Sequence, residues 1–141
     1  MAETFLRQVS NAIKAEWDDQ TSANGQLWSV ENPARGQCVP TALVLNDIFG
    51  GEIVRVIVTD EQDPAFRETH YYNKLSNGYY DLTGNQYPES VIMTKAPVDL
   101  ADKGYISTRD YLIANPDTNA RYELLRSRVF RRLGTIALSA E

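Results

Sequence analysis

Phe5, Val9, Ile13 and Trp17 recur in four-residue steps along residues 3–17, with Leu6 beside them. That spacing predicts an amphipathic helix with one apolar stripe. Residues 18–25 are polar and turn-rich and read as a loop. Leu27-Trp28-Ser29 is a short apolar patch, and Asn32-Pro33 then marks an extended or turn conformation, because the residue before a proline avoids the helical region. The pattern changes over residues 38–49. Ala42, Leu43, Val44, Leu45, Ile48 and Phe49 make this segment apolar nearly all round, which predicts a buried central helix. Pro40 fits its first turn, where the missing N–H would be unpaired anyway, and Gly50-Gly51 ends it.

Residues 52–59 are rich in β-branched residues and read as a strand. Residues 60–68, charged and holding Pro64, read as a loop. Residues 69–75 and 79–83 read as a hairpin around Asn77-Gly78, a strong short-range turn signal. Tyr87-Pro88 and Ala96-Pro97 break the next stretch, leaving residues 90–95 as a short edge strand. Ser107 or Thr108 caps a short helix through Ala114. A last helix runs from Pro116 to about Leu133 with Tyr122, Leu125, Val129 and Leu133 on one stripe. Consecutive antiparallel strands with helices gathered at the ends predict an α+β fold, a single domain over residues 1–141.

Composition narrows the function classes. The formal net charge is -5, which argues against nucleic acid and anionic membranes as partners. Arg121, Arg126, Arg128, Arg131 and Arg132 cluster late, but at helical spacing they read as a solvated face. One cysteine makes no internal disulfide, and charged residues interrupt the first twenty positions, so the expected setting is the cytoplasm. One Cys and one His do not make a structural zinc site, and no cofactor or metal motif appears. Nothing in the pattern specifies an oligomeric state.

The candidate chemistry lies at Gly36-Gln37-Cys38, a polar loop feeding the buried helix. A thiol there sits where backbone N–H groups are unpaired and the helix dipole is positive, a setting that favours thiolate. Gly36 permits close approach of a substrate to the backbone. His70 opens the hairpin and Asp81 lies on its return strand, so nucleophile, base and orienting group are all present. Register complicates this picture. With Asn77-Gly78 at the turn centre, Asp81 pairs with Lys74 and Asn85 lies opposite His70. Asp81 is then on the right face but four residues out of register, on the order of 13 Å along the strand. Asp81 and Asn85 are therefore rival third members. Tyr71, Tyr72, Tyr79, Tyr80 and Tyr87 crowd the same hairpin, either as cross-strand packing or as the wall of a cleft, and Trp28 is a core residue or a further wall.

The stretches Glu31-Asn32-Pro33-Ala34-Arg35-Gly36-Gln37-Cys38 with Thr41-Ala42-Leu43, His70-Tyr71-Tyr72-Asn73, Asp81-Leu82-Thr83 and Gln86-Tyr87 resemble the YunG-like family. More broadly, the order Cys, His, Asp resembles papain-like thiol enzymes, including transglutaminase-like, arylamine acetyltransferase-like and NlpC/P60 members. This wider resemblance implies a helix with an N-terminal Cys packed on a small antiparallel sheet. It implies Cys38 as nucleophile, His70 as base and then acid, and Asp81 as the group fixing the imidazole. It also implies an oxyanion donor six residues before the nucleophile, a position held here by Asn32, with Gln37 as the adjacent rival. The implied substrate is a peptide, amide, thioester or other acyl compound, with Trp28, Gly36 and Tyr72 lining its path. The alternative is a non-catalytic binding or interaction domain in which Cys38 is structural.

Overall fold

The first apolar stripe belongs to a helix, α1 (Ala2–Glu16), with Val9 and Ile13 fully buried. The computed structural model describes residues 2–140, with side chains over residues 4–134. Phe5 stays half in solvent and stacks at a tilt on Phe49, 5.5 Å between ring centres. The second helix, α2 (Cys38–Phe49), begins at the cysteine and buries Pro40 through Leu45. It lies between the sheet and the last helix, α5 (Pro116–Ala140). Its apolar circumference follows from that position, since a helix covered on opposite sides has no wet face to keep polar. Two polar ties fix it. The Trp17 indole N–H donates to Thr41 Oγ1 at 2.9 Å, and Asn73 Nδ2 donates to the Ala42 carbonyl at 2.9 Å.

The sheet has four antiparallel strands, β1 (Glu52–Asp60), β2 (Asp63–Leu75), β3 (Gly78–Tyr80) and β4 (Val91–Lys95), in the order β3-β2-β1-β4. The fold is thus mixed α+β, with helices α3 (Leu100–Lys103) and α4 (Thr108–Ile113) between the sheet and α5. Ser107 caps α4 by accepting from Asp110 N at 3.1 Å.

The structure corrects the strand reading in two places. The charged stretch after β1 is not a loop: β2 starts at Asp63 and pairs with β1 almost to the turn, Val58 with Glu68 and Thr59 with Arg67. Backbone pairing continues there although the side chains are polar, because most of them point into solvent and Pro64 sits at the strand's start, where it is tolerated. The second correction concerns the hairpin. Leu75 pairs with Gly78 and Asn73 with Tyr80, so the turn centre is Ser76-Asn77 and Gly78 opens β3. β3 ends after Tyr80, which leaves the flank of β2 around His70 open to other segments. Among the described residues, no helix is long and apolar enough to cross a membrane.

Candidate functional site

The approach to Cys38 is a tied loop. Gly36 has φ +73°, and a Cβ there would collide with Ser22 Oγ and lie 2.9 Å from the amide nitrogens of Ala23 and Asn24. Only glycine fits both the backbone and the space. Ser22 Oγ donates to the Arg35 carbonyl at 2.7 Å, and Ala23 N donates to the Gly36 carbonyl at 2.9 Å. Gly36 N donates to Gln86 Oε1 at 3.2 Å, and Gln86 Nε2 donates to the Thr83 carbonyl at 3.1 Å. The loop before Cys38 is thereby fastened to the exit of the hairpin. Gln37 occupies the N-cap of α2 without capping it. Its Nε2 donates instead to the Asp18 carbonyl at 2.9 Å, while its Oε1 is buried without a hydrogen-bond partner among the described residues. Cys38 follows, half-buried. It lines a cavity of about 150 Å³ together with Pro40, Glu68, Tyr71, Tyr87 and Arg121.

His70 stands beside Val56 in the middle of β2, and its side chain is fully enclosed. Its Nε2 donates to the Asp81 carboxylate, with the two oxygens at 3.0 and 2.9 Å. The shifted turn makes this contact possible. In the observed register Asp81 would face Tyr72, two residues from His70 rather than four, and it lies just past the last paired residue of β3. Gly84 completes the fit, because a Cβ at that position would come 2.8 Å from Asp81 Oδ2. The other ring nitrogen, Nδ1, is buried and has no hydrogen-bond partner among the described residues. Cys38 lies beside the ring, near enough to raise its proton affinity without closing a formed hydrogen bond. Burial works against charge on the imidazole, but Asp81 and Cys38 outweigh it and raise the pKa from 6.5 to about 9. At neutral pH His70 is therefore an imidazolium.

A second polar group frames this pair. Arg35 forks onto Glu68, with Nη1–Oε1 at 3.0 Å and Nη2–Oε2 at 2.8 Å, and the Tyr87 hydroxyl donates to Glu68 Oε1 at 3.3 Å. The Tyr87 ring meets His70 edge-on at 5.3 Å. Burial, with Cys38 and Glu68 nearby, pushes the Tyr87 phenol far above its usual range. Tyr87 is one of the tyrosines read as a possible cleft wall, whereas periodicity does not single out Arg35, Glu68 or Gln86. The signal available was the family-like string, in which Arg35, Gln86 and Tyr87 stand. The late arginines lie on a partly exposed face, as expected, and ion pairs run across it. Arg126 pairs with Asp47 at 3.3 Å, Arg128 with Asp18 at 2.8 Å and Arg132 with Glu16 at 2.5 Å, while Arg121 turns to the cavity.

The remaining candidates are placed as follows. Asn32 Nδ2 donates to the Gln86 carbonyl at 3.1 Å, so its amide braces the loop against the hairpin exit. The Trp28 indole donates to the Pro33 carbonyl at 2.8 Å. Tyr72 lies 6.0 Å from the His70 ring and 6.1 Å from Tyr79. Asn85 is exposed on a 3-10 turn at Gly84–Gln86, and the carboxylate at the imidazole is that of Asp81. A larger cavity, about 360 Å³, lies at the far end of α2 between Asn46, Ile53, Ser107 and Arg109. It contains neither the cysteine nor the histidine of the chain.

Comparison with known proteins returns one family. The model of the YunG protein family matches residues 5–134. A relative in Bacillus subtilis (strain 168), carrying the name "Uncharacterized protein YunG", is 27% identical over 132 residues, which span 94% of this chain and 97% of that protein. No solved structure matches the chain.

Proposed function

We propose that this chain, which belongs to the YunG family, is a thiol acyl-transfer enzyme with Cys38 as nucleophile, His70 as proton carrier and Asp81 as its anchor. One observation carries the reading. A fully enclosed imidazole has one nitrogen held by both oxygens of a carboxylate and the other, among the described residues, unpartnered beside the only thiol in the sequence. A core histidine with no chemical role ordinarily satisfies both nitrogens. The arrangement follows the logic of papain-like enzymes: a thiol at a helix N-terminus, a base on the sheet and a third group fixing the base.

The reactive form is the pair of imidazolium and thiolate. The Cys38 sulfur attacks an acyl carbonyl carbon, and the bond to the leaving group breaks. The departing atom takes the proton from His70 Nδ1, giving an acyl-thioenzyme and neutral imidazole. Water, or another acceptor, then loses a proton to Nδ1 as it attacks the thioester, which releases the acyl product and restores the pair. The Cys38 backbone N–H, in the unpaired first turn of α2, faces the developing oxyanion as one donor. Hydrolysis, deamidation and transfer share the first step, and the acceptor distinguishes them. The cytoplasm, where thiols stay reduced, suits this chemistry.

The test is the rate of Cys38 alkylation by iodoacetamide against pH. The wild type is expected to react faster than a free thiol at pH 6, with a profile that disappears in His70→Ala, a loss on the order of 100-fold. A slow reaction with the midpoint of an ordinary thiol, unchanged in His70→Ala, overturns the assignment.

A further inference from the structure

We propose that Arg121 reads a negative charge on the substrate, so that the acyl group delivered to Cys38 is short and carries a carboxylate. This deepens the thiol reading above and rests on it. Size comes first. The cavity beside Cys38 holds about 150 Å³. A dry cavity of that volume takes a benzene-sized molecule, about six heavy atoms. Val39, Pro40, Tyr71 and Tyr87 give it apolar and aromatic walls, which suit a short carbon chain.

Charge comes second. Besides Cys38, two side chains of the acidic and basic types line the cavity, Glu68 and Arg121. Glu68 is already committed, since both its oxygens accept from Arg35 and one also accepts from Tyr87. Arg121 is not. Among the described residues, its guanidinium makes one hydrogen bond, Nη2 to Thr118 Oγ1 at 3.3 Å, and its Nε is buried with no partner. Among the described residues, no carboxylate pairs with it. Arg126, Arg128 and Arg132 on the same helix each have one. A buried guanidinium N–H without an acceptor destabilises the fold. An arginine stays charged at any physiological pH, and its planar fork matches a carboxylate at two points. A cation held open against the nucleophile's cavity is therefore complementary to an anionic end on the acyl chain. The chemistry is that of the proposed reaction. The carbonyl carbon bonds to sulfur, the leaving group departs with the His70 proton, and water cleaves the thioester to a dicarboxylic acid.

The test uses two alkylating agents of nearly equal size on the full chain, iodoacetate and iodoacetamide, each rate divided by that of glutathione. The wild type is expected to prefer iodoacetate. Arg121→Gln is expected to lower the ratio of the two rates by about 10- to 100-fold, the range of a charge-assisted hydrogen bond, and Arg121→Lys to restore part of it. A wild-type measurement needs no variant: malonate, a three-carbon dicarboxylate whose acyl group has about six heavy atoms, should protect Cys38 from iodoacetamide saturably, and 1,3-propanediol should not. No iodoacetate preference, a preference that survives in Arg121→Gln, or equal effects of diacid and diol overturns the Arg121 assignment. If iodoacetamide alkylation still depends on His70, the thiol reading survives that failure. If that dependence is missing, both readings fall together.

Discussion

At the C-terminal end of α2, Arg109 donates to the Leu43 carbonyl, Asn46 Oδ1, Asp47 Oδ1 and the Tyr122 hydroxyl, at 3.3, 3.0, 2.6 and 2.8 Å. Tyr122 donates in turn to Asp47 Oδ2 at 2.5 Å, and Arg126 reaches the same oxygen. Each of these groups has its partners. At the N-terminal end the accounting differs. Three buried side-chain polar atoms lack a partner among the described residues: Gln37 Oε1, His70 Nδ1 and Arg121 Nε. Gln37 adjoins Cys38 in sequence, His70 lies beside it, and Arg121 shares its cavity. A polar network that only holds a fold together gains by closing every hydrogen bond, whereas one that must receive a ligand keeps some open. The larger cavity sits at the closed end and the smaller one at the open end, so volume does not follow the open polar groups.

The difference has a pH signature. His70 binds its proton with a pKa of about 9 in the folded chain, against 6.5 for a free imidazole. Below pH 6.5 both states are protonated and the full stabilisation is present. As pH rises, the unfolded chain loses the proton first, so stability falls through the window and is lost above about 9. The expected loss is about 3 kcal/mol. The closed end contributes nothing in this range, because Arg109 stays charged and burial raises the Tyr122 phenol above its usual value. Urea unfolding at pH 6 and pH 9.5 should show the loss in the wild type and a flat response in His70→Ala. A wild type as flat as the variant removes the proton from the account of the open end.

Stability and reactivity should separate between the two ends. Asp47→Ala removes the acceptor shared by Arg109, Arg126 and Tyr122. Because Arg109 and Arg126 are partly solvated, the expected cost is about 2 kcal/mol, a fall in Tm of about 6 °C, with the Cys38 alkylation rate unchanged. Cys38→Ser should do the converse, abolishing acyl-enzyme formation in intact-mass analysis while shifting stability by under about 1 kcal/mol. A strong loss of Tm in Cys38→Ser would identify the thiol as a packing residue.

Much of the fold was legible because it depends on local pattern. The all-round apolarity of residues 38–49, the β-branched run of β1 and the Ser107 cap each encode an element directly. The site was legible as residue types and less so as geometry. Asn77-Gly78 signals a hairpin correctly but misplaces its centre by one residue. Long-range contacts favour the observed phase: the Tyr80 hydroxyl meets Ser10 Oγ at 2.7 Å, and Tyr79 accepts from Lys95 Nζ at 2.9 Å. Both side chains meet their partners through tertiary packing, which a turn dipeptide does not encode. That one-residue change brings Asp81, rather than Asn85, to the imidazole. Arg121 was hidden for a related reason. Its helical spacing matches that of its salt-bridged neighbours, and only the packing of α5 against the cavity distinguishes it.

The smallest expected effect gives the sharpest test of the anchor. Gly84 has an ordinary backbone conformation, so Gly84→Ala adds no φ strain. Its new methyl would sit 2.8 Å from Asp81 Oδ2 and 3.1 Å from Asp81 Cγ. Asp81 can yield by swinging away, since its side chain is 24% exposed, and stability should change by under about 1 kcal/mol. The consequence should appear at His70 instead. It is the only histidine in the chain, so its imidazole protons titrate without overlap in NMR spectra. In Gly84→Ala the midpoint should move down from about 9 toward the ordinary 6.5, and adding Asp81→Asn should move it little further. A midpoint that stays near 9 in both variants would mean that the proton is held by the sulfur alone, which would leave the open end of α2 a dyad.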